Sequence, residues 1–307
     1  METRGERVTV VIPYSSEYTP ESFLEEAIRS VEAQSVPTEL VVVKDEDRRG
    51  PGWARNRGIE RTEFRFVAFL DADDLWKPGK LERQLERMAE TGAGLCVEGS
   101  EMDREAFVRG LLDGSVTSVT SSVLVDTDRI ETTFEEGLER FEDHLFVMEA
   151  AVEAGVCFCE DLMVVRKHPW GLSARATLET LYESRDRVVT IVNERIPEAR
   201  PYLDGGRALN AYLAGRMALE ADNRESARRH LKRSIDLDPG SYKAWALLVA
   251  AFLPVRGDRS AVALQGVHDA FGAVVGRVLG RSSRKISVES ESRRFSLLET
   301  GESDPND

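Results

Sequence analysis

The 307 residues carry 41 basic and 55 acidic side chains, a net charge of -14, and are 41% hydrophobic. That balance supports a real core, and the length accommodates one large domain with an accessory piece. It excludes a protein built to hold nucleic acid, whose phosphate backbone demands a basic footprint. Lysine occurs only at Lys44, Lys77, Lys80, Lys167, Lys232, Lys243 and Lys285, while arginine is abundant. Acid excess with scarce lysine suits a surface kept soluble in high salt, so a halophilic setting is expected. Cys96, Cys157 and Cys159 are odd in number and lack zinc spacing, which predicts small buried thiols in a reducing compartment. A polar start running straight into a strand predicts no signal peptide. No apolar stretch approaches the ~20 residues of a membrane span. The expected location is cytoplasmic, with any membrane contact peripheral.

Val8 to Pro13 is a β-branched run ended by proline, hence a buried strand. Thr19 is placed to cap the next helix, with Pro20 at its first position; Phe23, Leu24, Ala27, Ile28 and Val31 then recur at helical spacing. Gln34 to Pro37 ends that helix. Glu39 to Val43 is a second strand, so the three pieces predict a right-handed βαβ unit with a parallel sheet. Gly50-Pro51-Gly52 turns the chain into a short helix carrying Ala54-Arg55-Asn56-Arg57-Gly58.

The next stretch, Arg65-Phe66-Val67-Ala68-Phe69-Leu70-Asp71-Ala72-Asp73-Asp74-Leu75-Trp76, organises the chain. An uninterrupted apolar run predicts a central strand buried on both faces. Three carboxylates in four residues then emerge at its C-terminal end, where open α/β sheets bind ligands. Closely spaced acids repel, and a hard divalent cation between carboxylates and substrate phosphates relieves them. The bland alternative makes Asp74 the cap of a helix beginning near Lys77-Pro78.

A helix is predicted from about Pro78 to Glu90. Residues 91 to 125 read as irregular, with Ser115 to Ser122 either a strand or a loop beside an acceptor, and Val123 to Val125 a short strand. Phe141-Glu142-Asp143-His144 opens a helix to about Ala154, and Val156 to Val165 reads as one strand before the loop from Arg166 to Ser173. Beyond Ala174 strand signals stop. Leu178, Leu181, Val188, Val189 and Val192 mark an amphipathic helix. Residues 206 to 237 read as a helical pair in which Gly215, Ala227, Leu231 and Pro239 fit tetratricopeptide spacing; an ordinary helical hairpin fits equally. Residues 258–285 read as a basic amphipathic helix suited to an anionic membrane surface or to packing on the preceding pair. Residues 286–307 have a disordered composition.

Residues 8 to about 173 resemble the family 2 glycosyltransferases of the GT-A fold. Four signatures stand in the family's order: Val10-Val11-Ile12-Pro13-Tyr14 with Gln34; Val41 to Asp45 followed by Ala54 to Gly58; Phe69 to Trp76 with Pro78 and Lys80-Leu81-Glu82; and Glu142-Asp143. The fold class implied is α/β, a mostly parallel nucleotide-sugar-binding sheet flanked by helices, followed by an all-α C-terminal region. The expected divisions are 1–175 for the transferase domain, 176–257 for the helical region, 258–285 for the basic helix and 286–307 for the tail. The resemblance implies inverting transfer of a sugar from a nucleotide-sugar donor to an acceptor hydroxyl, with Mn²⁺ or Mg²⁺ as cofactor. Pro13, Tyr14 and Asp45 would line the nucleotide pocket, Arg55 would sit near the base or phosphates, and Asp71 would face the ribose or the metal's water shell. Asp73 would ligate Mn²⁺ or Mg²⁺ beside the diphosphate, His168 would make a metal or diphosphate contact, and Asp143 would be the general base. The implied acceptor is a glycan or a polyprenyl- or dolichyl-linked sugar, as in protein N-glycosylation or polysaccharide assembly.

The chemistry asks for these residue types independently. A diphosphate leaving group gathers negative charge, which a metal clamp stabilises, and one carboxylate suffices for a single direct displacement. One departure is Lys44, where the family commonly has an acid. Asp143 as a helix cap, Arg55 on a solvated face and His168 as a packing residue are the structural alternatives. A nucleotidyltransferase is the first rival function, but the loop from Tyr14 to Tyr18 lacks glycine and basic residues. The second is an inactive scaffold that takes a protein partner through its helical region, against which Asp71, Asp73 and Asp143 argue.

Overall fold

The computed structural model describes residues 7–169, 171 and 175–252. The two β-branched runs form β1 (Val8–Tyr14) and β2 (Thr38–Lys44), parallel over their whole length and joined through α1 (Glu21–Glu32). Helix α2 (Pro51–Ile59) leads to β3 (Phe66–Phe69), which pairs parallel with the other side of β1. The sheet is completed by β5 (Leu95–Glu98), β6 (Leu124–Asp126) and β7 (Val156–Cys159), in the order β2-β1-β3-β6-β5-β7. Only β6 runs antiparallel to its neighbours. The short strands β4 (Leu75–Trp76) and β8 (Met163–Val164) pair antiparallel in a second, two-stranded sheet.

The unbroken apolar run of β3 has a direct cause. Val67 and Phe69 enter one core, while Phe66, Ala68 and Leu70 enter the other. A strand covered on both faces cannot alternate with polar residues. On the first side lie α2, α4 (Arg104–Asp113) and α5 (Glu142–Ala154); Phe134 and Phe146 stack at 4.1 Å, and Phe69 meets both edge-on. On the second side α1 and α3 (Lys80–Thr91) bury Leu24, Val31, Leu81 and Leu85. Gly58 lets α2 approach β1, since a Cβ there would stand 2.2 Å from Val11 Cγ1.

Between residues 175 and 252 the elements are helical: α6 (Leu178–Arg195), a 3-10 segment Pro197–Tyr202, α7 (Leu203–Glu220), α8 (Arg224–Leu237) and α9 (Tyr242–Ala250). Val188, Val189, Ile191 and Val192 of α6 belong to the same apolar core as the first face of the sheet. Helices α7 and α8 pack closely where Gly215 faces Leu231, and Ser234 Oγ donates to the Ala208 carbonyl at 2.8 Å.

Several local expectations change. Helix α1 begins at Glu21 with Pro20 in the cap position and no side-chain cap, so Thr19 does not cap it. Helix α3 begins two residues later than expected, after Gly79 in the left-handed region (φ 74°), and Asp74 is not its cap. The stretch read as irregular contains β5 and α4, whose Asp103 caps through the Ala106 N–H. Ser115 to Ser122 is a loop ending in a 3-10 turn, Thr120–Ser122. The single strand expected at 156–165 is two, split by a turn at Asp161 (φ 58°). The basic helix at 258–285 and the tail at 286–307 lie outside the described residues.

Candidate active site

The acid turn leaves β3 between α2 and the loop that carries Ser121. Arg55, from the middle of α2, is buried, its side chain 4% exposed. Its Nη2 donates to Asp71 Oδ1 at 2.7 Å and its Nη1 to Glu142 Oε1 at 2.8 Å. Its guanidinium lies 5.2 Å from the Phe134 ring centre. Burial opposes the charge, but Asp71 and Glu142 outweigh it and hold Arg55 above its ordinary pKa. Arg55 therefore ties the acid turn to the first turn of α5.

Asp143 follows Glu142 on that turn. It does not cap the helix; the N-cap is Phe141, held at φ 64°. One Asp143 oxygen accepts the His144 N–H at 2.8 Å and the other the Thr120 hydroxyl at 3.4 Å. Burial raises its pKa, with Arg55 opposing. Glu142 is likewise raised by burial and then by Asp143, against the pull of Arg55. A carboxylate with a raised pKa is the better proton acceptor.

Asp73 and His168, predicted to act together, do meet: Asp73 Oδ2 lies 2.8 Å from His168 Nε2. Burial and the neighbouring Asp71 raise the Asp73 pKa, and the His168 hydrogen bond opposes them. Asp71 and Asp73 side chains are each 28% exposed, so each carboxylate is partly open to solvent.

Sequence reasoning missed what holds this turn. Ser121 Oγ accepts the Asp71 N–H at 3.0 Å and donates to Asp74 Oδ2 at 2.6 Å. The Trp76 indole donates to the Ser121 carbonyl at 2.7 Å. The second Asp74 oxygen accepts the Arg166 N–H at 3.1 Å, and Arg166 Nε donates to the Asp73 carbonyl. Asp74 thus joins the acid turn to two distant loops, and burial followed by Asp71 pushes its pKa up to about 7. Ser121 sits in a stretch with no periodicity, and Arg166 was visible only as the first of several loop residues. Glu142 stood beside the predicted base but was given no partner.

On the donor side, Pro13 and Tyr14 end β1, and the Tyr14 carbonyl accepts the Asp45 N–H at 2.9 Å. The Asp45 carboxylate accepts the Arg49 and Gly50 N–H groups, each at 2.8 Å, so it also shapes the turn into α2. Lys44 is exposed and makes no ion pair with Asp45 among the described residues. Two carboxylates, Asp71 and Glu142, already hold Arg55 through Nη2 and Nη1. Another buried cation lies behind the turn. Lys80 Nζ donates to Gln84 Oε1 at 2.6 Å and sits 4.1 Å from the Trp76 ring centre, and burial pushes its pKa down to about 7.

An open, mostly parallel sheet with an acid turn leaving its central strand is the architecture of a GT-A nucleotide-sugar-binding domain. The model of the family "Glycosyl transferase family 2" matches residues 41–107 of the chain. It is similar to a teichuronic acid biosynthesis glycosyltransferase, TuaG, of Bacillus subtilis, with 33% identity over 118 residues, 30% of this chain and 46% of that one. The matches span less than half the length of each curated relative. Among solved structures, S. aureus TarS 1-349 in complex with UDP-GlcNAc has a TM-score of 0.54 at 17% identity, covering 91% of this chain and 93% of that one. The mannosyltransferase PcManGT of Pyrobaculum calidifontis, in complex with GDP-Man and Mn²⁺, has a TM-score of 0.51 at 17% identity, covering 87% and 86%. These two likenesses establish the shared fold.

Proposed function

We propose that the chain is an inverting glycosyltransferase that moves a sugar from a nucleotide-sugar donor to a hydroxyl of a growing glycan. The observation that carries this reading is the Arg55 bridge. It ties Asp71 to the Glu142-Asp143 turn, which supports a reading in which leaving-group acids and a base act together. Asp143 takes the proton of the acceptor hydroxyl as its oxygen bonds to the anomeric carbon. The bond from that carbon to the diphosphate breaks, and the electron pair leaves with the nucleotide. Pro13, Tyr14 and Asp45 border the nucleotide. The polysaccharide-pathway name of the Bacillus relative supports a surface polysaccharide or lipid-linked sugar as acceptor class.

The acid turn fits a hard divalent cation by donor type: two partly exposed carboxylates that repel each other, and an imidazole nitrogen against one of them. Asp73 and His168 would hold Mn²⁺ or Mg²⁺, with Asp71 beside them. Among the described residues no three such groups already stand together as a metal cluster. When bound, the ion would neutralise the charge developing on the diphosphate. In this reading residues 1–175 carry the chemistry, and α6 and the segment after it buttress them through the shared core.

Calorimetry with UDP-, GDP- and dTDP-sugars, with and without Mn²⁺, tests the reading on wild type and Asp73→Ala. Metal-dependent binding of one donor, lost in the variant, is expected. A folded wild type that binds no donor under any of these conditions would overturn it.

A further inference from the structure

The chain is strongly acidic, but α8 is not. It carries Arg224, Arg228, Arg229, Lys232 and Arg233 against Glu225 and Asp236. Ala227, Leu231, Ser234 and Ile235 are buried, which leaves Arg229, Lys232 and Arg233 exposed on the opposite side. The ion pairs of this region, Arg216–Glu220 and Arg224–Asp222, do not involve those three, which have no acidic partner among the described residues. Burial, then Arg229 and Arg233, lower the pKa of His230, a local mark of that positive field.

Helix α9 adds an apolar row. Ala244, Leu247 and Ala251 are buried, whereas Trp245 is 43%, Val249 48% and Phe252 61% exposed. Trp245 and Val249 stand at i, i+4 on one face of the helix, and Phe252 follows in the turn after it, its N–H donating to the Val249 carbonyl at 3.0 Å. The basic and apolar rows are continuous. The Arg228 guanidinium lies 5.0 Å from the Phe252 ring centre and donates to the Ala251 carbonyl at 3.4 Å. Lys232 follows Arg228 by one turn. An aromatic and aliphatic row flanked by cations is what an anionic bilayer surface selects, with rings at the headgroup level and cations on the phosphates. The net charge of -14 and the aliphatic Val249 in the row argue against nucleic acid as the occupant. The sequence from 258 to 285 ends in Arg277, Arg281, Arg284 and Lys285, so like charge disfavours it as the cover of this basic face.

We infer that the α8–α9 face docks the chain on an anionic phospholipid surface, with Trp245, Val249 and Phe252 entering the headgroup boundary and Arg228, Arg229, Lys232 and Arg233 pairing with phosphates. The inference stands apart from the catalytic reading. It places a membrane contact where the sequence alone pointed only to the later basic segment.

The test is co-sedimentation of the full chain with vesicles of phosphatidylcholine alone or mixed with phosphatidylglycerol. Binding to the anionic vesicles only, weakened by salt, is expected. Each basic residue near such a surface is worth roughly fivefold, so K232Q/R233Q should bind about 25-fold more weakly. V249S/F252S should also weaken binding while leaving the thermal transition in place, because both side chains are exposed. If both double variants bind as wild type does, and a version cut after Gly257 does not bind, the contact belongs to the later segment and the inference fails. It fails too if the full chain binds neither vesicle and gains binding only when 286–307 is removed, since the acidic tail would then occupy the face.

Discussion

Replacing Arg55 by methionine tests the central link of the site. The side chain is 4% exposed and makes two charge-assisted bonds, at 2.7 and 2.8 Å. Methionine fills much of the volume but leaves Glu142, itself 8% exposed, buried beside Asp143 with no cation. Removing one member of a buried pair costs about 3–5 kcal/mol. For a chain of this size each kcal/mol lowers Tm by about 1.5 °C, so a fall of roughly 5–8 °C is expected. The pH dependence has a definite sign. The folded pKa of Glu142 is already raised and rises further without Arg55, so the folded variant takes up a proton more readily than the unfolded chain. The deficit is therefore largest at high pH and shrinks as pH falls through the raised folded value. Urea unfolding at about pH 5 and about pH 8 measures it. The double variant Arg55→Met/Glu142→Gln should recover part of the loss, because no uncompensated charge is left at 142. A single variant within about 1 kcal/mol of wild type at both pH values, or a double variant as unstable as the sum of the singles, would refute the bridge.

Other expectations follow from the same geometry. Lys80→Met should stabilise the protein relative to wild type more at about pH 6 than at about pH 9: unfolding wild type takes up a proton between the folded pKa of about 7 and the ordinary lysine value, so its stability climbs with pH there, by up to about 1.4 kcal/mol per unit. A difference that does not change with pH would show that the buried amine keeps its charge. Gly58→Ala should cost about 1–3 kcal/mol in chemical denaturation, because its Cβ would stand 2.2 Å from Val11 Cγ1; a neutral result would mean that α2 shifts freely off β1. Asp143→Asn should lower kcat by about 10²- to 10⁴-fold while donor affinity measured by calorimetry stays near wild type. Equal loss of both would assign Asp143 to donor binding instead.

The sequence by itself determined the layered sheet and the location of its acid turn. Both are written in local chemistry: β3 is apolar throughout because its two faces enter two cores, and the carboxylates stand at its end. The Ala54 to Gly58 helix was legible for the same reason, its glycine set by a close approach to Val11. Asp73 with His168, 95 residues apart, was legible only through family resemblance, yet the two side chains meet. What the tertiary structure decided is which charge answers which. Arg55 reads as a ligand contact in one dimension, but folding brings Asp71 and Glu142, 16 and 87 residues away, onto its two nitrogens. Ser121 and Arg166 carry no sequence mark of their role, since each acts by meeting Asp74 from a loop without periodicity. Likewise, Arg228 and Phe252 make one surface only because α8 and α9 fold back on each other. Burial patterns are periodic and local, so a linear sequence displays them. Buried ion pairs and mixed surfaces depend on loop lengths and crossovers, which no local pattern encodes.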